Sequence, residues 1–271
     1  MLKNPLLDNI RQGRTSLGCF VNDPDTLELC AFLGLDWVCI DQMFTSNDWS
    51  KTEMLIRTAE AAGITPVIRV HSFPWLGYDR RIAVDVARLR GIGGEFIMVS
   101  NSGKQEIEDC LEVSKDWHRK ALTIHPFRAM DEWAPVSSQQ EHATFIIPQP
   151  ETRKGLDDLE ATMKLPGIKI VFIAMTDASR TLSGQQQPDW NLPALWDYVD
   201  RAVALGKEYG VTVGANTSYT YNLAEQKTRI QKLHDRGVRM IMLQTAYFYL
   251  QVAMSEFLKD VRPGLSAEKV S

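Results

Sequence analysis

The chain has 271 residues and a mass of 30.7 kDa, too long for a small module and too short for two ordinary domains with a linker. A single α/β barrel needs about 250 residues, so length alone makes that architecture a leading candidate. Hydrophobic residues make up 44% and charged residues 24%, which is typical of a globular chain and argues against disorder. A net charge of −4 without a basic stripe argues against nucleic-acid binding.

Neither membrane insertion nor secretion is indicated. The longest apolar runs, such as Ile168–Met175, fall far short of the roughly 20 residues that span a bilayer. The first residues hold no continuous apolar stretch, so we expect neither a signal peptide nor a transit peptide. Four cysteines show neither CxxC nor metal-ligand spacing: Cys19, Cys30, Cys39 and Cys110. We expect reduced, buried thiols in a cytoplasmic protein with no membrane partner.

Short apolar runs alternate with longer amphipathic runs along the chain. The apolar runs predict eight strands: Ser16–Val21, Trp37–Ile40, Thr65–Val70, Phe96–Val99, Thr144–Ile147, Ile168–Ala174, Val211–Ala215 and Met240–Leu243. The amphipathic runs predict helices that begin at Asp23-Pro24 and that cover Ser50–Ala62, Asp79–Arg90, Lys104–Asp116, about Gly155–Lys164, Pro193–Tyr209, Leu223–Arg236 and about Phe248–Val261. A ninth apolar run, 121–124, lies among Pro, Arg and Trp residues and is assigned to a loop.

Local signals predict several helix ends. Asp23 is placed as an N-cap, with Pro24 at the first helical position. Ser50 and Glu53 have the spacing of a capping box, and Gly63 ends the same helix.

Strands that alternate with helices indicate βαβ units and a parallel sheet. Eight strands suit a closed (β/α)8 TIM barrel, which we expect to form one domain over residues 1–271. An open doubly wound sheet is the alternative. The dense glycine cluster Gly91–Gly94 does not support it, because this cluster precedes a strand, whereas a dinucleotide-binding fingerprint follows one.

In such a barrel, catalytic residues lie where the strands end. The polar residues at these positions are Asp41, Arg69, His71, Gln149, Glu151 and Asp177. Glu151 and Asp177 flank one complete helix–strand unit, so their carboxylates should lie on neighbouring strand ends. Two carboxylates with open positions for water and substrate suit Mg²⁺ or Mn²⁺. The alternative is a pair of solvated loop carboxylates.

Several segments resemble the signature of the HpcH/HpaI aldolase family, metal-dependent pyruvate aldolases related to the phosphoenolpyruvate/pyruvate barrels. The similar segments are Ile147–Leu159, Leu165–Ile168, Val171–Ser179, Gly34–Asp41 and Thr65–Val70. The similarity runs from about residue 13 to about residue 250. It is most specific in the Gln-Pro-Glu-Thr-Arg block that starts at Gln149.

The resemblance implies a metal and an enolate. Glu151 and Asp177 would hold the divalent ion, Mg²⁺ or Mn²⁺ with Co²⁺ possible, which would bind the carboxylate and keto oxygen of a pyruvate-like substrate. Arg69 would stabilise the developing enolate oxygen, and Gln149 would orient the substrate or a metal-bound water. The backbone amides around Thr176 and Asp177 would take the substrate carboxylate.

The sequence departs from the family in the turn after the second strand. In the family, an acidic residue at the end of this strand is followed by Gly-Glu-His and supports the catalytic histidine. Asp41 matches that acidic residue. This chain has Asp41-Gln42-Met43-Phe44. Phe44 occupies the position of the base and cannot transfer a proton, so we assign it to substrate binding. The enolate half of the machinery is retained, and the acid/base half is not.

Two histidines are candidate replacements for the base. His71 lies two residues beyond Arg69, so strand alternation places both side chains on the same side. His125 lies in the long loop before the fifth strand. A structural role is the alternative for each.

Two classes of function remain open. The first is a metal-dependent lyase that acts on a 2-oxo acid through a pyruvate-type enolate, with a decarboxylase or a carbon–carbon bond-forming enzyme as variants. The second is a barrel that only binds a small carboxylate. The presence of Arg69, Gln149, Glu151 and Asp177 together favours the enzyme. Family members are commonly hexamers, so we expect a homo-oligomer, a hexamer or trimer of dimers, with the apolar tail Tyr247–Leu258 packed on or exchanged with a neighbouring subunit.

Overall fold

A computed structural model describes residues 4–70, 81–114, 144–220 and 222–265. Within these ranges, eight parallel strands alternate with helices. The strands are β1 (Ser16–Val21), β2 (Trp37–Asp41), β3 (Thr65–Val70), β4 (Phe96–Ser100), β5 (Phe145–Gln149), β6 (Ile170–Ile173), β7 (Thr212–Asn216) and β8 (Met240–Met242). Their order is β5-β4-β3-β2-β1-β8-β7-β6, and β5 contacts β6. The sheet is therefore a nearly closed (β/α)8 barrel, as predicted.

Helices cover the outside of the barrel. In the described ranges they are α1 (Pro5–Arg11), α2 (Pro24–Phe32), α3 (Trp49–Ala62), α4 (Arg81–Gly91), α5 (Lys104–Ser114), α6 (Arg153–Asp157), α7 (Leu159–Met163), α8 (Met175–Ser183), α9 (Pro193–Tyr209), α10 (Leu223–Arg236) and α11 (Ala246–Val261), followed by a 3₁₀ turn, Arg262–Leu265. None of the helices in these ranges has the length and apolar character needed to cross a membrane. The predicted loop at 121–124 and the predicted helix start at Asp79 lie outside the described residues.

Large side chains fill the inside of the barrel. Trp37 and Phe172 meet edge to face, with their ring centroids 6.4 Å apart, and Leu6 of α1 packs against the same cluster. Small residues make room for these rings. A Cβ atom at Gly18 would lie 2.3 Å from the Trp37 ring, and one at Gly214 would lie 2.7 Å from the Phe172 ring. The core inside the barrel therefore depends on these two glycines as much as on the aromatic residues.

Two predicted helix ends had different outcomes. The cap on α2 is confirmed, because the Asp23 carboxylate accepts from the Thr26 N–H at 2.8 Å. The predicted capping box of Ser50 and Glu53 on α3 is wrong. Asp48 accepts from the Lys51 N–H at 2.8 Å and is the cap, so Ser50 lies in the first turn. A carboxylate both accepts this bond and interacts favourably with the positive end of the helix.

Other helices differ from their predictions in extent. The helix expected over Gly155–Lys164 is two short helices, α6 and α7, that meet at Asp158. Two further helices, α1 and α8, have no counterpart in the sequence prediction. Both are short, seven and nine residues, so their apolar pattern has little room to repeat.

The four cysteines are free and buried, as predicted. Cys19 and Cys30 lie closest, with their sulfur atoms 3.4 Å apart. Burial raises the pKa of Cys110 to about 12. These thiols therefore act as small apolar side chains in the core.

Candidate active site

The register between β2 and β3 places Asp41 directly beside Arg69 at the C-terminal end of the barrel. The Arg69 Nε donates to Asp41 Oδ1 at 2.9 Å, and its second nitrogen donates to Oδ2 at 2.8 Å. Both side chains are buried. Burial opposes the charge on Arg69, but the hydrogen bonds that Arg69 donates to Asp41 and the negative charge of Asp41 outweigh it and raise the Arg69 pKa above its ordinary value. A buried, bidentate ion pair of this kind fixes the plane of the guanidinium group.

Asp41 also organises the turn that follows β2. Its carboxylate accepts from the main-chain N–H of Met43 at 2.9 Å and of Phe44 at 3.3 Å. Its main-chain carbonyl accepts from the Asn47 side-chain amide at 2.9 Å. An aspartate that binds the amides two and three residues ahead is a typical turn residue. Asp41 therefore positions Arg69 and the turn at the same time.

Two aromatic rings lie against the Arg69 guanidinium. Its central carbon is 4.7 Å from the centroid of the Phe20 ring and 5.3 Å from that of the Phe44 ring. Both distances are in the range of cation–π contact. Phe44 is 74% exposed, whereas Phe20 is partly buried. The apolar side chain of Phe44 is thus exposed to solvent at the mouth of the barrel, next to the buried guanidinium group of Arg69.

Glu151 is a buried acid at the same end, 7% exposed. Burial and then the nearby charge of Asp177 raise its pKa to about 8, against the opposing effects of Arg69 and of a hydrogen bond from the Asn101 main chain. Asn101 has φ +55°, a left-handed conformation that is uncommon for a residue other than glycine. The carboxyl group therefore lies within the field of both Arg69 and Asp177.

Helix α8 begins directly after β6. Ala174 at the N-cap position forms no side-chain hydrogen bond with the first turn. The Met175 N–H donates to Asn216 Oδ1 at 2.7 Å, and the Thr176 hydroxyl lies 2.7 Å from that of Ser218. The first amides of a helix lack partners within it and favour anions. The Met175 N–H is thus already engaged, and the next amides, of Thr176 and Asp177, are the groups at the start of α8 that could take an anion.

Asp177 and Gln149 complete the set of polar groups. The Asp177 carboxylate is about half exposed and accepts from Arg180 at 3.1 Å. Gln149 is buried, and its side-chain oxygen accepts from the Ser100 hydroxyl at 2.8 Å. The register pairs Ser100 with Gln149 across β4 and β5, and the bond fixes the orientation of the amide.

The structure places Asp41, Arg69, Gln149, Glu151, Thr176 and Asp177 at one end of the barrel. Phe44 lies there too, against Arg69. The two candidate bases, His71 and His125, lie outside the described residues.

Sequence reasoning missed Phe20, Asn101, Asn216 and Ser218. The strand-end rule applied to β7 would have found Asn216 and Ser218, because a polar Asn-Thr-Ser run follows an apolar strand.

Among the described acids at this end of the barrel, Asp41 is paired with Arg69, and Glu151 and Asp177 could hold a metal ion. No cluster of three or more His, Cys, Asp or Glu side chains with metal-ligand spacing occurs in the part of the chain that the structure describes. Mg²⁺ is commonly bound by one or two carboxylates together with water and substrate oxygens. The pKa of the buried Glu151 is raised partly by the negative charge of Asp177. A divalent cation bound to both carboxylates would offset this repulsion.

The fold and this site define a (β/α)8 barrel with a buried arginine–carboxylate centre at its mouth. No family model matches the chain. A curated relative, 5-keto-4-deoxy-D-glucarate aldolase of Shigella dysenteriae serotype 1 (strain Sd197), is 23% identical over 234 residues, 83% of this chain and 88% of the relative.

Solved structures share the fold of this chain. An HpcH/HpaI aldolase/citrate lyase family protein from Burkholderia cenocepacia J2315 superposes with a TM-score of 0.75 at 22% identity, over 96% of this chain and all of the other. A more distant neighbour, a phosphonopyruvate hydrolase in complex with oxalate and Mg²⁺, has a TM-score of 0.58 at 13% identity, over 100% of this chain and 90% of the other. The resemblance to HpcH/HpaI aldolases expected from the sequence is thereby confirmed.

Proposed function

We propose that this protein is a metal-dependent, aldolase-like lyase that acts on a 2-oxo acid through a pyruvate-type enolate. One observation carries the proposal. Arg69, buried and held in a fixed plane by Asp41, lies close enough to Glu151 for each to affect the other's pKa. A preorganised cation beside a metal-ligand carboxylate is the arrangement that stabilises a developing enolate oxygen.

Glu151 and Asp177 would hold the divalent ion, Mg²⁺ or Mn²⁺ with Co²⁺ as a further candidate. The fit rests on the donor chemistry, two carboxylates of which one is buried and has a raised pKa. When bound, the ion would supply Lewis-acid polarisation of the keto oxygen. The phosphonopyruvate hydrolase, a barrel of similar fold, was solved with Mg²⁺ and oxalate together, which supports the same choice of ion here.

The other roles follow from the chain's own groups. The amides at the start of α8, around Thr176 and Asp177, would bind the substrate carboxylate. Arg69 would donate to the enolate oxygen as charge develops there. Gln149, oriented by Ser100, would position the substrate or a water molecule. All of these groups are set before the substrate arrives, so little reorganisation is required.

A decarboxylase or a carbon–carbon bond-forming enzyme is the second candidate, and Phe44 favours it. Cleavage of an aldol requires a group that takes the proton of the C4 hydroxyl, and Phe44 cannot do so. Decarboxylation of a 3-carboxylated 2-oxo acid releases CO₂ and leaves the electron pair on the enolate without such a base. A barrel that only binds a carboxylate is the third candidate, and it would bind oxalate without turnover of any 2-oxo acid.

We also propose a homo-oligomer, a hexamer or trimer of dimers, in which α11 packs on or is exchanged with a neighbouring subunit. Exposed apolar residues on α11 recur at spacings of three and four: Tyr247, Leu250, Met254 and Phe257. This spacing forms one continuous stripe on the helix. We further propose that residues 1–271 form one domain and that the protein is cytoplasmic.

A metal-supplemented assay with oxaloacetate and a panel of 4-hydroxy-2-oxo acids tests the function. The protein is compared with Glu151→Gln and with the control Glu160→Gln, a partly exposed glutamate on α7 that is paired with Lys164 and Arg201. We expect turnover that EDTA abolishes, that Glu151→Gln loses, and that the control retains. Free metal ions also decarboxylate oxaloacetate, so a protein-free blank is subtracted. Equal turnover and equal Mn²⁺ binding by Glu151→Gln and wild type would contradict the metal assignment.

A further inference from the structure

We infer that the hydroxyl of Ser218 is a further ligand of the substrate carboxylate, and that Arg229 on α10 positions it. The inference rests on the proposed function, which puts that carboxylate at the first amides of α8. It starts from the loop after β7, where Ser218 has φ +55°. A residue other than glycine keeps this left-handed conformation only where the groups around it hold it there.

Buried side chains hold three consecutive carbonyl groups of this loop. One nitrogen of Arg229 donates to the Thr217 carbonyl at 3.0 Å and to the Tyr219 carbonyl at 3.3 Å. The Gln244 amide donates to the Ser218 carbonyl between them at 2.6 Å. Arg229 and Gln244 are both buried. The main chain on both sides of Ser218 is therefore fixed, and the direction of its side chain is fixed with it.

Arg229 is itself held from two further segments. It forms an ion pair with Glu225, one turn earlier on α10. Its central carbon lies 4.6 Å from the centroid of the Trp190 ring, in the segment between α8 and α9. This distance is within the range of cation–π contact. One buried cation thus joins the loop after β7 to the segment that follows α8.

The Ser218 side chain faces the start of α8. Its hydroxyl lies 2.7 Å from that of Thr176, in the first turn of that helix. The two hydroxyls carry two protons, and the bond between them uses one. Within the described ranges neither hydroxyl has another hydrogen-bond partner, so the second proton is free for an anion. Thr176 is only 5% exposed, whereas Ser218 is partly buried, so Ser218 is the hydroxyl that a ligand reaches.

Ser218 also lies near the group proposed to bind the enolate oxygen. Ser218 and Phe20 line the same cleft of about 20 Å³, which is large enough for one water molecule. Phe20 lies against the Arg69 guanidinium. Ser218 thus adjoins both groups between which the proposed function places the substrate, Thr176 directly and Arg69 by way of Phe20. A carboxylate at the start of α8 would therefore accept from the Ser218 hydroxyl as well as from the amides.

Calorimetry with pyruvate and with oxalate on the Mg²⁺-supplemented protein tests the role of Ser218. We expect Ser218→Gly to weaken the binding of both anions about tenfold, or about 1.4 kcal/mol, because a hydrogen bond to a charged group is lost. Glycine adopts a positive φ without strain, so the unfolding midpoint should stay about the same. Ser218→Ala should lose the same affinity. Ser183→Gly, at the other end of α8, is the matched control and should bind both anions as the wild type does.

Steady-state kinetics with oxaloacetate separates a ligand from a general structural role. Ser218→Gly should raise KM about tenfold and change kcat little, because the carboxylate is bound equally in the ground state and in the transition state. Arg229→Lys keeps the charge but loses the planar group that bonds the loop, so it should raise KM about threefold. In the Ser218→Gly background it should have almost no further effect on KM, because it acts through Ser218.

The outcomes distinguish this inference from the proposed function. Pyruvate and oxalate affinities within about twofold of wild type in both Ser218→Gly and Ser218→Ala would overturn the inference and leave the proposed function intact. An equal effect of Arg229→Lys on KM in both backgrounds would overturn its positioning role. Failure of the wild type to bind either anion would overturn both proposals.

Discussion

Two parts of the barrel mouth differ in how their side chains are held. Around Arg69 and Glu151, charged groups are buried and fixed by hydrogen bonds from neighbouring strands. In the turn after β2, Met43 and Phe44 donate their main-chain amides to Asp41; Met43 is buried, whereas the Phe44 ring contacts Arg69 on one side and is otherwise exposed to solvent. In the proposed function, the first part would stabilise a charge that develops on the substrate, whereas the second presents an apolar ring to solvent.

The largest expected effect comes from the charged part. Arg69→Lys keeps the charge but loses the planar guanidinium group that forms two hydrogen bonds with Asp41. We therefore expect the decarboxylation rate to fall about 10²–10³-fold. Arg57→Lys, in a partly exposed pair with Glu53 on α3, is the control and should change little. A mutant within about threefold of wild type, only about 0.7 kcal/mol of barrier, would show that Arg69 has no such role.

Glu151 should make the metal-free protein less stable at alkaline pH. Its pKa in the folded state is raised to about 8, above the ordinary value of 4.5, so the folded state holds the proton more tightly than the unfolded state. Its contribution is present below about pH 4.5 and is lost as the pH rises to about 8.

Urea unfolding of wild type and Glu151→Gln from pH 4.5 to 9 measures this loss. We expect the variant to gain relative stability across that window, by about 1.4 kcal/mol per unit of pKa shift, and to level off above it. Added Mn²⁺ should reverse the order, because it stabilises only the wild type. Parallel stability curves in the absence of metal would show that Glu151 is not held in the buried, acid-facing state.

Restoring a base tests the apolar part directly. Phe44→His should raise retro-aldol cleavage about tenfold and change oxaloacetate decarboxylation little. A general base is usually worth about 10²–10⁴, but Asp41 is already engaged by Arg69 and by the turn and is poorly placed to orient a new imidazole. If the wild type already cleaves aldols efficiently, another base exists, and His71→Ala or His125→Ala should then abolish cleavage. Efficient cleavage that survives both substitutions would mean that the site works differently.

The smallest effect concerns how the turn after β2 leads into α3. Asp48→Ala should destabilise the protein by about 1 kcal/mol, within the range of about 0.5–2 kcal/mol for a lost cap. Ser50→Ala should cost less than half of that, because Ser50 lies in the first turn and not at the cap. Thermal or urea unfolding of the two variants distinguishes them, and equal losses would restore the Ser50–Glu53 capping box.

The sequence by itself determined the elements that depend on local chemistry. Strands β1 and β3 and helices α9 and α10 lie where their apolar periodicity predicts them. Gly63 ends its helix in the left-handed conformation, with φ +74°, as its lack of a Cβ allows. Strand ends also follow from local pattern, so the rule that barrel chemistry lies there was enough to select Arg69, Glu151 and Asp177 as candidates.

Tertiary structure decided which of these groups meet. Asp41 and Arg69 are 28 residues apart, and only the parallel register of β2 and β3 pairs them. The contact of Phe20 with the same guanidinium depends on β1 lying beside β2. The raised pKa of Glu151 depends on burial and on Asp177, which arrives on a different strand–helix unit. These properties arise from distances between segments far apart in sequence, and local periodicity carries no information about such distances.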